Sequence, residues 1–207
     1  MSFKTILCNM CACLVFISVN ASATTLTFDS IETSGLRNSV TDSGFMISSS
    51  QAFWVNTHGA SYCSPECPEN GTNYLITQWE GGDDELSVSA IDGSLFNLTS
   101  FQYGEGHVGF RYAPQINVIG YLSGGGSVLA SFILDGINDG SGAVDDFQTA
   151  LLPSTFQNLS SVEFSVPIGY RYTLDNIAIS SVPLPAAVWL FGSGLIGLIG
   201  IARRKKS

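Results

Sequence analysis

Between Thr24 and Ser181 the apolar residues fall at every second position in short runs, and no stretch holds a convincing helical period. Leu26-Thr-Phe28, Leu86-Ser-Val-Ser-Ala-Ile91, Phe96-Asn-Leu-Thr-Ser-Phe-Gln-Tyr103, Ile116-Asn-Val-Ile-Gly-Tyr-Leu122, Val162-Glu-Phe-Ser-Val166 and Tyr172-Thr-Leu-Asp-Asn-Ile-Ala-Ile179 all alternate in this way. So do Phe45–Ser48, Leu75–Trp79 and Val128–Leu134. Period two, with β-branched and aromatic residues enriched, describes strands with one face buried and one wet. Gly81-Gly-Asp-Asp84 and Gly124-Gly-Gly126 punctuate the runs as turns. The pattern predicts about nine or ten strands in one all-β domain over 24–181, an antiparallel β-sandwich of jelly-roll type. Asp145–Leu152 is the one place where a turn or two of helix is expected. No internal repeat or linker divides the domain.

Charge narrows the partners. All 17 acidic residues of the chain lie between Thr24 and Ser181, against three arginines (Arg37, Arg111, Arg171) and no lysine, which leaves this piece at −14. Such a surface repels phosphate backbones, so nucleic acid is excluded as a partner. Divalent cations and neutral polysaccharides remain acceptable, and solubility outside the cell accounts for the charge without any partner. Five cysteines are present, of which Cys8, Cys11 and Cys13 belong to the N-terminal leader described below. The other two, Cys63 and Cys67, sit four apart among prolines, and that spacing suits a small disulfide loop in an oxidising compartment. A zinc site there would need two more soft ligands, with His58 the only candidate nearby.

Both ends read as targeting segments. Met1–Ala23 has a basic start at Lys4, a short apolar centre and a small-x-small end at Ala21-Ser-Ala23, the plan of a secretory signal cut after Ala23. At the other end Ala186–Ala202 carries no charge and is stopped by Arg203, Arg204, Lys205 and Lys206. Seventeen helical residues span roughly 26 Å, just under a hydrocarbon core of about 30 Å. The basic stop would stay cytoplasmic and leave the acidic domain outside. Glycines at 192, 194, 197 and 200 keep one helix side small enough for close approach by another helix.

An ordinary tail anchor explains the helix and its charges but not the Val182-Pro183-Leu184-Pro185 in front of them. This order of Pro-x-Pro, glycine-rich apolar span and basic stop over residues 182–207 closely resembles the PEP-CTERM sorting signal, with Leu184 where the namesake motif has Glu. The resemblance implies recognition by an exosortase, a membrane-embedded cysteine transpeptidase-like enzyme, with processing near Pro183–Pro185. Prolines hold the backbone extended just outside the bilayer, where a protease takes it as a strand. The opening Leu26-Thr-Phe28-Asp29 and closing Tyr172-Thr-Leu-Asp175 are similar to the first and last strands of jelly-roll domains in PEP-CTERM proteins and carbohydrate-binding modules. That resemblance implies adjacent terminal strands and a Ca²⁺ ion beside them, with Asp29 and Asp175 as matching ligands. Two carboxylates alone make no calcium site, and backbone carbonyls would complete it. Two aspartates capping turns at strand ends is the simpler alternative.

No catalytic set stands out. Glu80, Asp83, Asp84, Glu85, Glu105, Asp145 and Asp146 supply carboxylates, but neighbours along a strand face opposite ways and adjacency is not opposition. His107 beside Glu105 offers a base or a loop residue. Sugar stacking has Trp54, Tyr62, Tyr74, Trp79 and Tyr103 to draw on, most of them expected in the core. Three functions follow: a non-enzymatic surface or exopolysaccharide-matrix protein, a calcium-assisted carbohydrate-binding module, and a polysaccharide hydrolase.

Overall fold

A computed structural model of the chain describes residues 22–56, 70–77, 85–106, 113–136 and 147–182. Ser22–Val182 forms one compact unit. Residues 1–21 of the expected signal and the whole of the expected apolar helix, with Pro183, Leu184, Pro185 and the Arg203, Arg204, Lys205 and Lys206 stop, lie outside the described residues. Cys63 and Cys67 lie outside them too. Ser22 and Ala23, the last two residues of the expected signal, are described and lie against Ser180 and Ser181. Among the described residues there is no helix, and hence none long and apolar enough to cross a membrane.

Eleven strands follow one another: β1 (Ala23–Leu26), β2 (Gly35–Asp42), β3 (Phe45–Asn56), β4 (Tyr74–Thr77), β5 (Leu86–Ala90) and β6 (Phe96–Glu105). Then come β7 (Gln115–Leu122), β8 (Ser127–Ile133), β9 (Gln148–Leu151), β10 (Leu159–Ser165) and β11 (Tyr172–Ser181). Every pairing is antiparallel, and the main order is β8-β7-β10-β5-β3-β4-β11-β6-β9. The long β3 joins the two halves. Its start, Phe45–Ser48, pairs with Ala90–Ser87 of β5, and its end, Phe53–Asn56, pairs with Thr77–Tyr74 of β4. A bridge between Leu159 of β10 and Phe96 of β6 ties the halves again at the other end. The result is the expected all-β, sandwich- or barrel-like body.

Alternation decides the packing. In β5, β7 and β10 every second residue is buried, so that Leu86, Val88, Ile116, Val118, Val162 and Phe164 fill the interior. Phe101 is the hub of an aromatic cluster there. Its ring centroid lies 5.3 Å from Phe132 and 5.0 Å from Phe164, both edge-on, the arrangement favoured by ring quadrupoles.

Two elements were not legible as strands. Gln148–Leu151, inside the stretch expected to turn helically, is β9, because it pairs with Tyr103–Ser100 on the edge of β6. Gly35–Asp42 (β2) buries only Val40 and so lacks an alternating apolar signal, yet it pairs along β3. The expected neighbourhood of the terminal strands does hold: Ala23, Thr24, Thr25 and Leu26 face Ser180, Ile179, Ala178 and Ile177.

Phe101→Ala should cost about 3–5 kcal/mol, because it removes a fully buried ring touching aromatics on two other strands. Urea unfolding of the exported protein measures it, and a loss under about 1 kcal/mol would contradict the packing.

Candidate functional site

β11 changes partner partway along its length. Thr173 and Leu174 face Ile76 and Leu75 of β4, whereas Ile177 to Ser180 face β1. Asp175 and Asn176 sit between the two, where neither strand supplies a residue opposite them. On the other flank the β6 register slips between Asp175 and Ala178 and is regained at Ile179. Asn176 has a left-handed φ of 47°, which asparagine tolerates better than most residues. The backbone ladder is therefore broken at this point, and side chains span the break.

Asp175 is fully buried and receives most of those bonds. Its Oδ1 accepts from the Asn176 backbone N–H at 2.7 Å. Its Oδ2 accepts from Asn70 Nδ2 at 2.6 Å, from Thr72 Oγ1 at 2.8 Å and from Asn176 Nδ2 at 3.1 Å. Asn176 Nδ2 also donates to Gln102 Oε1 at 2.7 Å. The Thr72 hydroxyl is within bonding distance of Asn70 Oδ1 as well, at 2.7 Å. A hydroxyl carries one hydrogen and cannot serve both acceptors at once. The Thr72 backbone N–H also donates to Asn70 Oδ1 at 3.1 Å, so the hydroxyl is left to serve Asp175 and each acceptor has a donor.

Asp29 stands beside it on the turn after β1. Its Oδ1 accepts from the Asn73 backbone N–H at 3.0 Å, and its side chain is exposed. The turn is held from two sides. Asp42 Oδ2 accepts from the backbone N–H groups of Thr27 and Phe28 at 3.0 and 2.9 Å. The buried Asn73 amide donates to the carbonyls of Phe28 and Ile31, both at 3.1 Å. These bonds, with the complete burial of its ring, hold Phe28 at a left-handed φ of 58°.

The electrostatics follow from this geometry. Burial pushes the Asp175 carboxyl up to about 6; the bonds from Asn70, Thr72 and Asn176 pull it back, and the charge of Asp29 raises it further. The ligand atoms on offer are two carboxylates, amide oxygens and a hydroxyl, all hard donors, which suits calcium rather than a soft metal. Among the described residues no three His, Cys, Asp or Glu side chains gather as a metal shell. Asp29 lies near enough for its charge to act on Asp175, in a setting the residue pattern did not reveal. Asn70-Gly-Thr72-Asn73 reads in the sequence only as a glycosylation-type triplet, and nothing marks Gln102 or Asp42.

The other candidates resolve less favourably. Tyr74 and Tyr103 are buried and offer no stacking face; Trp54 is half-buried. The Tyr103 hydroxyl lies 3.1 Å from Ile133 O and 3.0 Å from Gln148 Oε1 and donates its one hydrogen to either; its phenol is pushed up by burial and by Glu105 and Asp135. Glu105 is buried in β6, where Oε1 accepts from the Gly136 N–H at 2.8 Å. Tyr62, Trp79, Glu80, Asp83, Asp84, His58, His107, Asp145 and Asp146 lie outside the described residues. Of the surface hollows lined by described residues, one holds Asp92 as its sole carboxylate and another only Glu32, opposite Arg37. Neither presents the opposed pair that glycoside hydrolysis uses.

The fold and its buried carboxylate define an all-β protein built around paired terminal strands. Residues 181–206 match the family described as the PEP-CTERM protein-sorting motif, and the chain carries that sorting motif. The motif marks an exported protein directed to the cell envelope or surface. No curated protein matches the chain. Solved structures resemble it distantly. A DUF4465 family protein from Bacteroides caccae is 12% identical, aligned over 78% of this chain and 100% of that one, with a TM-score of 0.48. A family 29 carbohydrate-binding module solved with cellulohexaose is 18% identical over 78% and 92% of the two chains, with a TM-score of 0.42. A cyclase from Fischerella sp. is 14% identical over 78% and 98%, with a TM-score of 0.43.

The raised Asp175 carboxyl gives a signed pH dependence. The folded state holds its proton up to about pH 6, the unfolded chain only to about 4. Stability contributed by the neutral acid is therefore complete below about pH 4 and is lost as pH rises from there through 6. In chelator, the stability lost between pH 5 and pH 7 should be greater in the wild type than in Asp175→Asn by about 1 kcal/mol, with a correspondingly larger fall in melting temperature. Parallel profiles for the two proteins would contradict the buried ionisation.

Proposed function

We propose that this chain is exported, cut by an exosortase near Pro183–Pro185, and left at the cell surface or in an exopolysaccharide layer as a non-catalytic interaction domain. The sorting motif carries this proposal. Its position supports it: Val182, the first residue of the Val-Pro-Leu-Pro segment, donates its N–H to Leu95 O at 3.3 Å. Among the described residues the hydrogen bonds of the domain thus run up to the motif, although the Ser181 N–H bond to Ser22 O, at 2.9 Å, goes to a residue of the expected leader and would be lost on cutting after Ala23. A cut among the prolines would release a domain with its final strand complete. The strongly acidic, lysine-free body favours neutral polysaccharide over anionic polymers as a companion. The apolar span Ala186–Ala202 and its Arg203–Lys206 stop would hold the precursor in the membrane until that cut.

Mass spectrometry of the protein isolated from its host tests the processing step. The expected C-terminus lies between Val182 and Ala186. A mature chain still ending in Lys206-Ser207 would contradict it.

A second function rests on the hard oxygens gathered around the buried Asp175: Ca²⁺ bound by Asp29 and Asp175, with Asn70 and Thr72 completing the oxygens. Such an ion would neutralise the carboxylates and clamp the turn after β1 to β11, holding the terminal strands together for a carbohydrate-binding surface. Calcium should raise the melting temperature at pH 7 by several degrees in the wild type and not in Asp175→Asn. No shift in the wild type would remove the metal from the account and leave the export and processing proposal intact.

A further inference from the structure

β8 (Ser127–Ile133) ends the main strand order, and no described strand lies beyond it. Natural sheets blunt such edges with lysine, proline, bulges or inward charges, because an open row of N–H and C=O groups pairs with any extended chain. β8 has none of these. Its sequence, Ser-Val-Leu-Ala-Ser-Phe-Ile, holds no charge and no proline, in a domain of net −14. Its seven residues stay in even register with β7 from Ser127↔Tyr121 to Ile133↔Gln115, with no bulge.

The hydrogen-bond phase shows which groups are left over. Leu122 donates to Gly126 O at 3.1 Å, and Leu134 donates to Pro114 O at 3.2 Å. Antiparallel ladders alternate, so the backbone groups of Val128, Ala130 and Phe132 also face β7. Those of Ser127, Leu129, Ser131 and Ile133 face the open edge. The same residues point their side chains to the wet face: Leu129 is 67% exposed and Ile133 75%. These are among the largest exposed apolar side chains of the described residues.

The open edge is self-complementary. Placed antiparallel to a second copy with Ser131 on the two-fold axis, Leu129 of each chain falls opposite Ile133 of the other, and Ser131 faces Ser131. Two apolar cross-strand pairs form on one face, each burying side chains that water now surrounds. The Ile133 carbonyl lies 3.1 Å from the Tyr103 hydroxyl, whose one hydrogen it shares as acceptor with Gln148 Oε1, and a carbonyl oxygen has a second lone pair for the ladder. Charge does not oppose this register. Asp135 meets Ser127 of the other copy rather than a carboxylate. The two Asp135 residues lie eight strand positions apart, about 27 Å, well beyond the screening length of about 8 Å. Elsewhere two such acidic bodies repel.

We propose that β8 is a homodimerisation edge, where two copies of this chain join antiparallel into one continuous sheet. The inference concerns a different surface from the calcium site and does not depend on it.

Sedimentation equilibrium of the protein as its host exports it tests the proposal, and the wild type is expected to run at twice the protomer mass. Ser131→Pro removes an N–H that faces only the open edge, and Leu129→Glu places charge in the seam; each should weaken the dimer by roughly tenfold or more. Their thermal melts at low concentration, below dimer formation, show whether the fold survives. Since Ser131→Pro also loses the Ser131 Oγ bond to Asn117 Oδ1 (2.8 Å), Leu129→Glu is the cleaner variant. Ser131→Cys should form a covalent dimer on mild oxidation, and Ser127→Cys should not, because it faces residue 135. A monomeric wild type, a dimer untouched by both edge variants, or a different protein bound stoichiometrically along this edge would each overturn the proposal.

Discussion

The pairing of the two terminal strands is the interaction on which the rest depends. β11 is flanked by β6 along one side and by β4 and then β1 along the other, and Leu174, Ile177 and Ile179 project from it into the interior. A strand bonded on both sides and buried on one face cannot leave without exposing the core. β1, only four residues long, has little stability alone. It is held because Leu26 is buried in the interior and because Asp42 and Asn73 secure the turn that follows it.

That arrangement creates the oxygen cluster. Where two short strands share one flank of a longer strand, a gap in the ladder is unavoidable, and buried backbone there must find other partners. Asn70, Thr72 and Asn176 converge on Asp175 for this reason. A buried carboxylate is costly, and the donors from Asn70, Thr72 and Asn176 lower the cost. Structure and chemistry meet at this point: the same gap that weakens the sheet assembles hard ligands between the two ends of the domain.

Most of the fold was legible in the amino-acid pattern, because one buried face per strand writes period two directly into the chain. Leu86–Ile91, Phe96–Tyr103 and Val162–Val166 illustrate this. β2 was hidden because its residues, apart from Val40, are polar or solvent-facing, and only β3 explains its presence. β9 was hidden because Gln148–Leu151 is too short to show any period, and its state is set by the edge of β6. At the candidate site the two aspartates could be picked out only through the resemblance of the first and last strand segments to jelly-roll domains. Their companions could not. Asn70 and Asp175 are 105 positions apart, and side chains that bridge a gap in a ladder follow no local spacing.

The sorting motif gives the domain its destination, and paired termini give it a reason to survive processing: the last strand is locked before the prolines begin. Hydrogen exchange measured amide by amide addresses that central claim most directly. The Ser181 N–H to Ser22 O bond sets the ladder phase, so Thr24, Leu26, Ile177 and Ile179 direct their N–H groups between β1 and β11. These four amides should exchange together, as slowly as those of Val118 and Val162 in the centre of the other half. Rapid exchange at Thr24 and Leu26 with slow exchange along the rest of the domain would show that β1 is dispensable and that the closure of the chain ends does not hold the structure together.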